Sequence, residues 1–179
     1  MTQVGNVYGQ ALYTLAKDEG ICAVVLDDLR VLKNCFAAEP KFLRLLGASN
    51  LSKEERCQIV DNSFRGKIHI YVMNFLKILT EKGYVRHFLE CCDSFEAQYN
   101  CDMGILPVKA VTAVPLSAKQ AEKLTKKMSD MTGKTIQLEN KVDPLCVGGV
   151  RLDFDGKCLD DTVAHRLEAI GSLLKDTVL

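Results

Sequence analysis

Apolar residues recur at three- and four-residue steps through the first hundred positions, the spacing that puts them on one face of a helix. Val4, Val7, Tyr8, Ala11, Leu12 and Leu15 trace a stripe that stops near Gly20. Val25, Leu29, Leu32 and Phe36 mark a second helix, with Pro40 just beyond it. Phe42, Leu43 and Leu46 mark a short third one, ended by Gly47. A fourth opens at Ser52, where Ser-Lys-Glu-Glu is a capping box: the Ser52 hydroxyl accepts from the Glu55 amide and the Glu55 carboxylate from the Ser52 amide. The fifth carries Ile68, Val72, Phe75, Leu76 and Leu79 and ends at Gly83, with Tyr71 and Ile78 pointing elsewhere. The sixth carries Val85, Phe88, Leu89, Cys92, Phe95 and Tyr99. Short connectors between six short helices predict a bundle.

The period changes near Gly104. Ile105–Val114 is β-branched and extended, and Pro107, lacking an amide donor, favours a strand start or an edge. A second capping box, Ser117 to Gln120, opens a helix with Ala121, Leu124, Met128 and Met131 on one face, stopped by Gly133. Ile136, Leu138, Asn140 and Val142 alternate as a strand. Val150, Leu152 and Phe154 then alternate with Arg151 and Asp153, and Asp155-Gly156 turns the chain back as a hairpin. A last helix starts at Asp161 or Thr162 and carries Val163, Leu167, Ile170 and Leu174. The expected fold is α plus α/β: a six-helix bundle over residues 1–104, then a small β-α-β-β-α domain over 105–179.

Composition removes several function classes. The 179 residues hold 23 Lys+Arg against 23 Asp+Glu, so no basic excess favours a nucleic acid, and the absence of Trp leaves poor material for base stacking. No apolar run approaches the roughly 18 residues that span a bilayer, and the first twenty residues lack a basic region followed by an apolar core. The expectation is a cytoplasmic protein, or one held at a membrane only through partners. Eight cysteines would suit a disulfide framework in an exported chain, but the export signal is missing; no Cys-x-x-Cys pair suits zinc or an iron–sulfur cluster. Small buried apolar residues in a reducing compartment are the simpler assignment.

Chemistry-bearing motifs are thin. Gly148-Gly149 precedes a strand, not a helix, and lacks the spacing of a dinucleotide fingerprint or a phosphate loop; close backbone packing or a bulge is expected. His69, His87 and His165 fall on separate elements with no paired carboxylate motif, Cys91-Cys92 has no base, and Lys119, Lys123, Lys126 and Lys127 interleave with Glu122 as a solvated face. No cofactor or metal is called for.

Three segments together resemble one family. Val142-Asp143, Gly148-Gly149-Val150 and Asp160-x-Thr162-Val163-x-x-Arg166-Leu167 are similar to the carboxyl-terminal signature of the ATP synthase delta subunit, the relative of the oligomycin-sensitivity-conferring protein. Tyr8-x-x-Ala11-Leu12 and the Glu81-Lys82-Gly83 turn fall where that family has them. Asp161 stands where the family usually has Gly, and Ala164-His165 where it has Arg-Gly. The resemblance implies a non-catalytic stator subunit on the cytoplasmic face of the cell membrane. Its helical domain would bind the amino-terminal helix of an alpha subunit, and its second domain the carboxyl-terminal region of the peripheral-stalk b subunits. Tyr8, Ala11, Leu12 and Ile78 are the implied alpha-facing residues; Gly83, Gly148, Gly149, Asp160 and Arg166 are the implied structural motif. The contrasting possibilities are a helical adaptor outside ATP synthase, a nucleic-acid module, and a thiol or metal protein.

Overall fold

The computed structural model describes residues 2–47, 51–163, 165 and 167. It divides into two units, Met1–Tyr99 and Asn100–Leu179.

The first unit is built from helices α1 (Gln3–Asp18), α2 (Cys22–Ala38), α3 (Pro40–Leu46), α4 (Lys53–Phe64) and α5 (Ile70–Glu81). A 3-10 turn, Val85–His87, leads into α6 (Phe88–Asp102), whose last turn crosses into the second unit. Helix starts follow local chemistry. Thr2 caps α1 by accepting from Gly5 N at 3.3 Å, and the Ser52–Glu55 box forms in both directions at 2.8 and 3.1 Å. The start of α5 is secured from outside itself: Asp28 of α2 accepts the His69 amide at 2.6 Å. Phe36 sits at the centre of an aromatic cluster, with ring centroids 5.0 Å from Phe88, 5.8 Å from Phe42 and 6.2 Å from Phe64. Each such pair contributes about 0.5–1.5 kcal/mol beyond its buried area. Arg30 and Lys33, one turn apart on α2, reach Glu96 and Asp93 of α6, both at 2.6 Å. These bridges are half-exposed, worth at most about 1 kcal/mol each, and fix orientation more than stability.

One predicted stripe is displaced. The buried face of α1 is Gly5, Gly9, Leu12, Tyr13 and Ala16, not the run from Val4 to Leu15. Two glycines occupy core positions because α6 lies against them; a Cβ at Gly9 would fall 2.6 Å from the Cys91 carbonyl oxygen and 2.7 Å from Ser94 Cβ. Rotating α1 toward its small residues leaves Val7, Ala11 and Leu15 exposed.

The second unit is a four-stranded sheet in the order β2-β1-β3-β4, with β1 (Ile105–Thr112), β2 (Thr135–Val142), β3 (Val150–Phe154) and β4 (Lys157–Asp160). Helix α7 (Ala118–Thr132) makes the crossover between the parallel pair β1 and β2; β3 runs antiparallel to β1, and the hairpin's return arm adds β4. Leu106, Val108 and Ala110 of β1, Ile136 of β2 and Leu152 of β3 form the buried layer with Met128 of α7. Met131, expected on that buried face, is 73% exposed: the face α7 buries runs through Leu124 and Met128 to the partly buried Thr132, and Met131 lies beside it. Pro107 falls in a central strand, not at an edge. The carbonyls of Gly104 and Thr112 accept from Thr135 and Asp143 on the β2 side, so the two-residue alternation turns residue 107 toward β3. There β3 pairs only from Lys109 onward, and the missing donor breaks no ladder bond.

After β4, the Thr162 hydroxyl accepts from His165 N at 3.3 Å, and Val163, His165 and Leu167 are helical, in keeping with a helix start at Thr162. Arg166, Ile170 and Leu174 lie outside the described residues.

Candidate docking surfaces and the motif residues

The four residues singled out for a docking surface separate by exposure. Leu12 is 4% exposed and turned into the bundle core, so it presents no area to a partner. Tyr8 is half-buried against that core, and its ring meets Tyr84 edge-on at 5.8 Å. That contact brings α1 to the chain segment that leaves α5. Ala11 is exposed, and Ile78 on the last turns of α5 is 45% exposed. Sequence reasoning overlooked Val7 and Ile70, 56% and 57% exposed. Val7, Ala11 and Leu15 recur at four-residue steps on α1 as an apolar stripe that its core leaves unused; on α5, Ile70 and Ile78 are exposed on one face two turns apart, with Asn74 between them. The signal that would have found Val7 is the Gly5/Gly9 pair, which marks the other face of α1 as the one in close contact.

The amino-terminal turn of α1 is clamped to α6. Glu90 accepts from the Thr2 amide at 2.7 Å and from the Thr2 hydroxyl, and these bonds hold its carboxyl below the usual range. His87 adds its Nδ1 at 3.3 Å from Thr2 Oγ1, while its Nε2 accepts from Arg86 Nε at 3.2 Å. His69 caps α5, accepting from Tyr71 N, away from His87 at the α1–α6 seam, and His165 is exposed in the second unit.

The motif residues close backbone turns. Gly83 has φ +74°, and around it Tyr84 N donates to Leu79 O at 2.7 Å and Gly83 N to Thr80 O at 3.2 Å: a Schellman cap, which explains glycine after Glu81-Lys82. Gly149, with φ +82°, lies under the chain leaving β4; a Cβ there would be 2.3 Å from the Asp161 carbonyl oxygen. Gly148 accepts from Val163 N at 2.9 Å, and Asp161 N donates to Val150 O at 3.1 Å. Asp160 takes the Thr162 amide at 3.0 Å and hydroxyl at 2.7 Å, which lowers its pKa.

Two thiols meet a carboxylate, and neither is activated by it: Cys57 donates to Glu81 at 3.7 Å, with burial and then the Glu81 charge pushing its pKa up, and the hydrogen bond to Asp153 pushes Cys158 up. Burial, then the Glu90 charge, push the Cys91 thiol up to about 11, and burial drives Cys92 up as well. At pH 8 about one Cys91 in a thousand is thiolate. Short alkylation of the folded protein, mapped by mass spectrometry, is therefore expected to mark the exposed Cys35 and Cys101 first and the exposed Cys158 more slowly, since its bond to Asp153 raises the thiol's pKa, with Cys91, Cys92 and Cys146 protected until denaturant is added. Labelling of Cys91 or Cys92 as fast as Cys35 would revive a thiol chemistry. Among the described residues, no group of three or more His, Cys, Asp or Glu side chains is placed to hold a metal ion.

Comparison with known proteins gives one consistent match. A family model described as "ATP synthase delta (OSCP) subunit" matches residues 4–174. The ATP synthase subunit delta of Alkaliphilus oremlandii is 31% identical over 164 residues, covering 92% of this chain and 91% of the relative. That of Lactobacillus acidophilus is 30% identical over 178 residues, covering 97% and 96%. Among solved structures, a chain of the Toxoplasma gondii mitochondrial ATP synthase hexamer superposes with a TM-score of 0.76 at 22% identity, over 97% of this chain and 98% of that one, a likeness of fold.

Proposed function

The chain belongs to the ATP synthase delta (OSCP) family, whose members are non-catalytic stator subunits, and from that premise we propose that its helical unit docks the amino-terminal helix of an alpha subunit while its second unit meets the carboxyl-terminal region of the b subunits. The observation that carries the first half is the exposed apolar side chains that the core leaves unused, Val7, Ala11 and Leu15 on α1 and Ile70 and Ile78 on α5. A partner helix with anchors at three- and four-residue spacing fits such faces. Val7, Ala11 and Leu15 are the α1 anchors and Ile70 and Ile78 the α5 anchors, and the Tyr8–Tyr84 contact ties α1 to the segment that follows α5. Leu12 acts from beneath, as core.

The mechanism asks for no bond chemistry. A stator carries static torque, so it needs stiff elements and contacts that outlast each rotor step. The aromatic cluster around Phe36, the α2–α6 bridges and the Thr2–Glu90 clamp meet that need by tying the helices to one another at several points. No helix of the described residues is long and apolar enough to cross a membrane. Attachment to the cytoplasmic face of the membrane then runs through the partner subunits.

Calorimetric titration with a peptide of the first two dozen or so residues of the same organism's alpha subunit tests the first half. Saturable one-to-one binding is expected, weakened about tenfold or more by Ile78→Asp, with Tyr8→Ala a smaller loss because its ring is half-buried. Folded protein that ignores the peptide would sink the alpha-docking assignment.

A further inference from the structure

We propose that the loop from Asp143 to Gly149, with the cavity beside it, is the socket for an acidic amphipathic helix; resting on the stator reading above, that helix is the carboxyl-terminal end of a b subunit. The first observation is backbone strain. Val147 has φ 62° and ψ −43°, and the Cys146 carbonyl accepts the Gly148 amide at 2.6 Å. This is a γ-turn of the rare positive-φ hand, built on a β-branched residue that disfavours it. Local bonds impose it: Asp143 N reaches Thr112 O at 2.8 Å, Leu145 N reaches Asp143 Oδ1 at 3.0 Å, and Val163 N holds Gly148 O at 2.9 Å. Such strain persists where the surroundings over-determine it, and it gathers at binding sites.

The second observation is what the strain presents. Leu145 is 82% exposed and Val147 68%; Val114, in the bend after β1, is 69% exposed. Among the described residues these are three of the four most exposed large apolar side chains. Val114 and Val147 line a cavity of about 420 Å³ together with Leu116, Gln120 and Val150. Its polar neighbours are already engaged: Thr112 Oγ1 donates to Val114 O at 2.8 Å, and Asn140 bonds Thr112 Oγ1 at 2.9 Å and the Leu116 amide at 2.9 Å. Few free polar groups converge to orient a small polar ligand, so the socket suits apolar side chains carried on a protein.

Charge decides the character of that protein. Gln120 at the cavity lies on α7, whose exposed residues include Lys119, Lys123, Lys126 and Lys127 against Glu122 and Asp130. A helix seated on Val114, Leu145 and Val147 with carboxylates along one flank complements both features.

The test is titration of the full chain with a synthetic peptide of the last two dozen or so residues of the same organism's b subunit. Val147→Gly is the diagnostic variant: glycine accepts positive φ, so thermal stability is expected to hold or rise while affinity falls about tenfold. Leu145→Asp is expected to lose as much, and Lys119→Gln with Lys123→Gln to flatten the salt dependence. A peptide that binds wild type and both loop variants equally overturns the socket and leaves the stalk contact elsewhere on the protein. A peptide that does not bind folded wild type overturns the socket and the b-subunit assignment together. Binding whose salt dependence ignores the two lysines overturns the acidic flank.

Discussion

Gly149→Ala is expected to destabilise the second unit by about 2–5 kcal/mol, while Gly148→Ala next to it changes little. Two independent effects meet at residue 149. Its φ of +82° is a conformation that an L side chain adopts at a penalty of about 1–2 kcal/mol. The added carbon would also sit 2.3 Å from the Asp161 carbonyl oxygen and 3.0 Å from Thr162 Cα, backbone atoms that cannot rotate away. Relieving that overlap means lifting the 160–163 segment off β3, at about 1–3 kcal/mol for an overpacked site. Lifting it also loosens two hydrogen bonds, Asp161 N to Val150 O and Val163 N to Gly148 O. Gly148 is the internal control, since its added carbon would meet only Val163 Cγ2 at 3.4 Å, an ordinary contact. Because a domain's whole stability is about 5–15 kcal/mol, the loss should be plain in urea unfolding, and hydrogen exchange at the amides of Asp161 and Val163 localises it. Equal stability of the two alanine variants would mean that the chain does not cross Gly149 closely.

Much of this was legible in the order of residue types, and what was not had a physical cause. Capping at Ser52 is local chemistry within four residues, so it could be read directly, and the Glu55 return bond forms as expected. At Ser117 the Gln120 side chain takes both the amide and the hydroxyl of Ser117, at 2.9 and 2.7 Å. The hairpin at Asp155-Gly156 was equally visible, because a tight turn is specified by the residues inside it. The face of α1 was not. Hydrophobic periodicity weights a residue by its own apolar area, and glycine has none; whether Gly5 and Gly9 are empty surface or close contact depends on α6, more than eighty residues away. The error was productive, since the apolar residues left over became the candidate docking stripe. Ile78 could be placed because both sides of its helix are apolar and only one fits a core, whereas Leu12 could not be told from its neighbour Ala11 without knowing the rotation of α1. Val147 was invisible for a related reason: nothing in its local sequence asks for positive φ, and the bonds that impose it come from β1 and the segment after β4.

The α1–α6 crossing carries the second large prediction, because it joins stability to the proposed docking surface. In most helix interiors Gly→Ala gains about 0.5–1 kcal/mol of helix propensity. At Gly9 the sign is expected to reverse. The new carbon would lie 2.6 Å from the Cys91 carbonyl oxygen, 2.7 Å from Ser94 Cβ and 3.0 Å from Ser94 Oγ, and the first two are fixed by the backbone of α6. A net loss of about 1–3 kcal/mol is expected for Gly9→Ala and more for Gly9→Leu, which must force the helices apart. One turn earlier, a Cβ at Gly5 would fall 2.7 Å from Glu90 Cβ, so Gly5→Ala should strain the same seam and the Thr2–Glu90 clamp with it. Three readouts should move together: the unfolding midpoint falls, Cys91 becomes open to alkylation in the folded protein, and affinity for the alpha-subunit peptide drops as Val7, Ala11 and Leu15 shift relative to Ile78. Adding Ser94→Gly should restore only part of the loss, since the Cys91 carbonyl still blocks the approach. A Gly9→Ala protein more stable than wild type would show that the two helices do not touch there, and the rotation of α1 that exposes Val7, Ala11 and Leu15 would lose its cause.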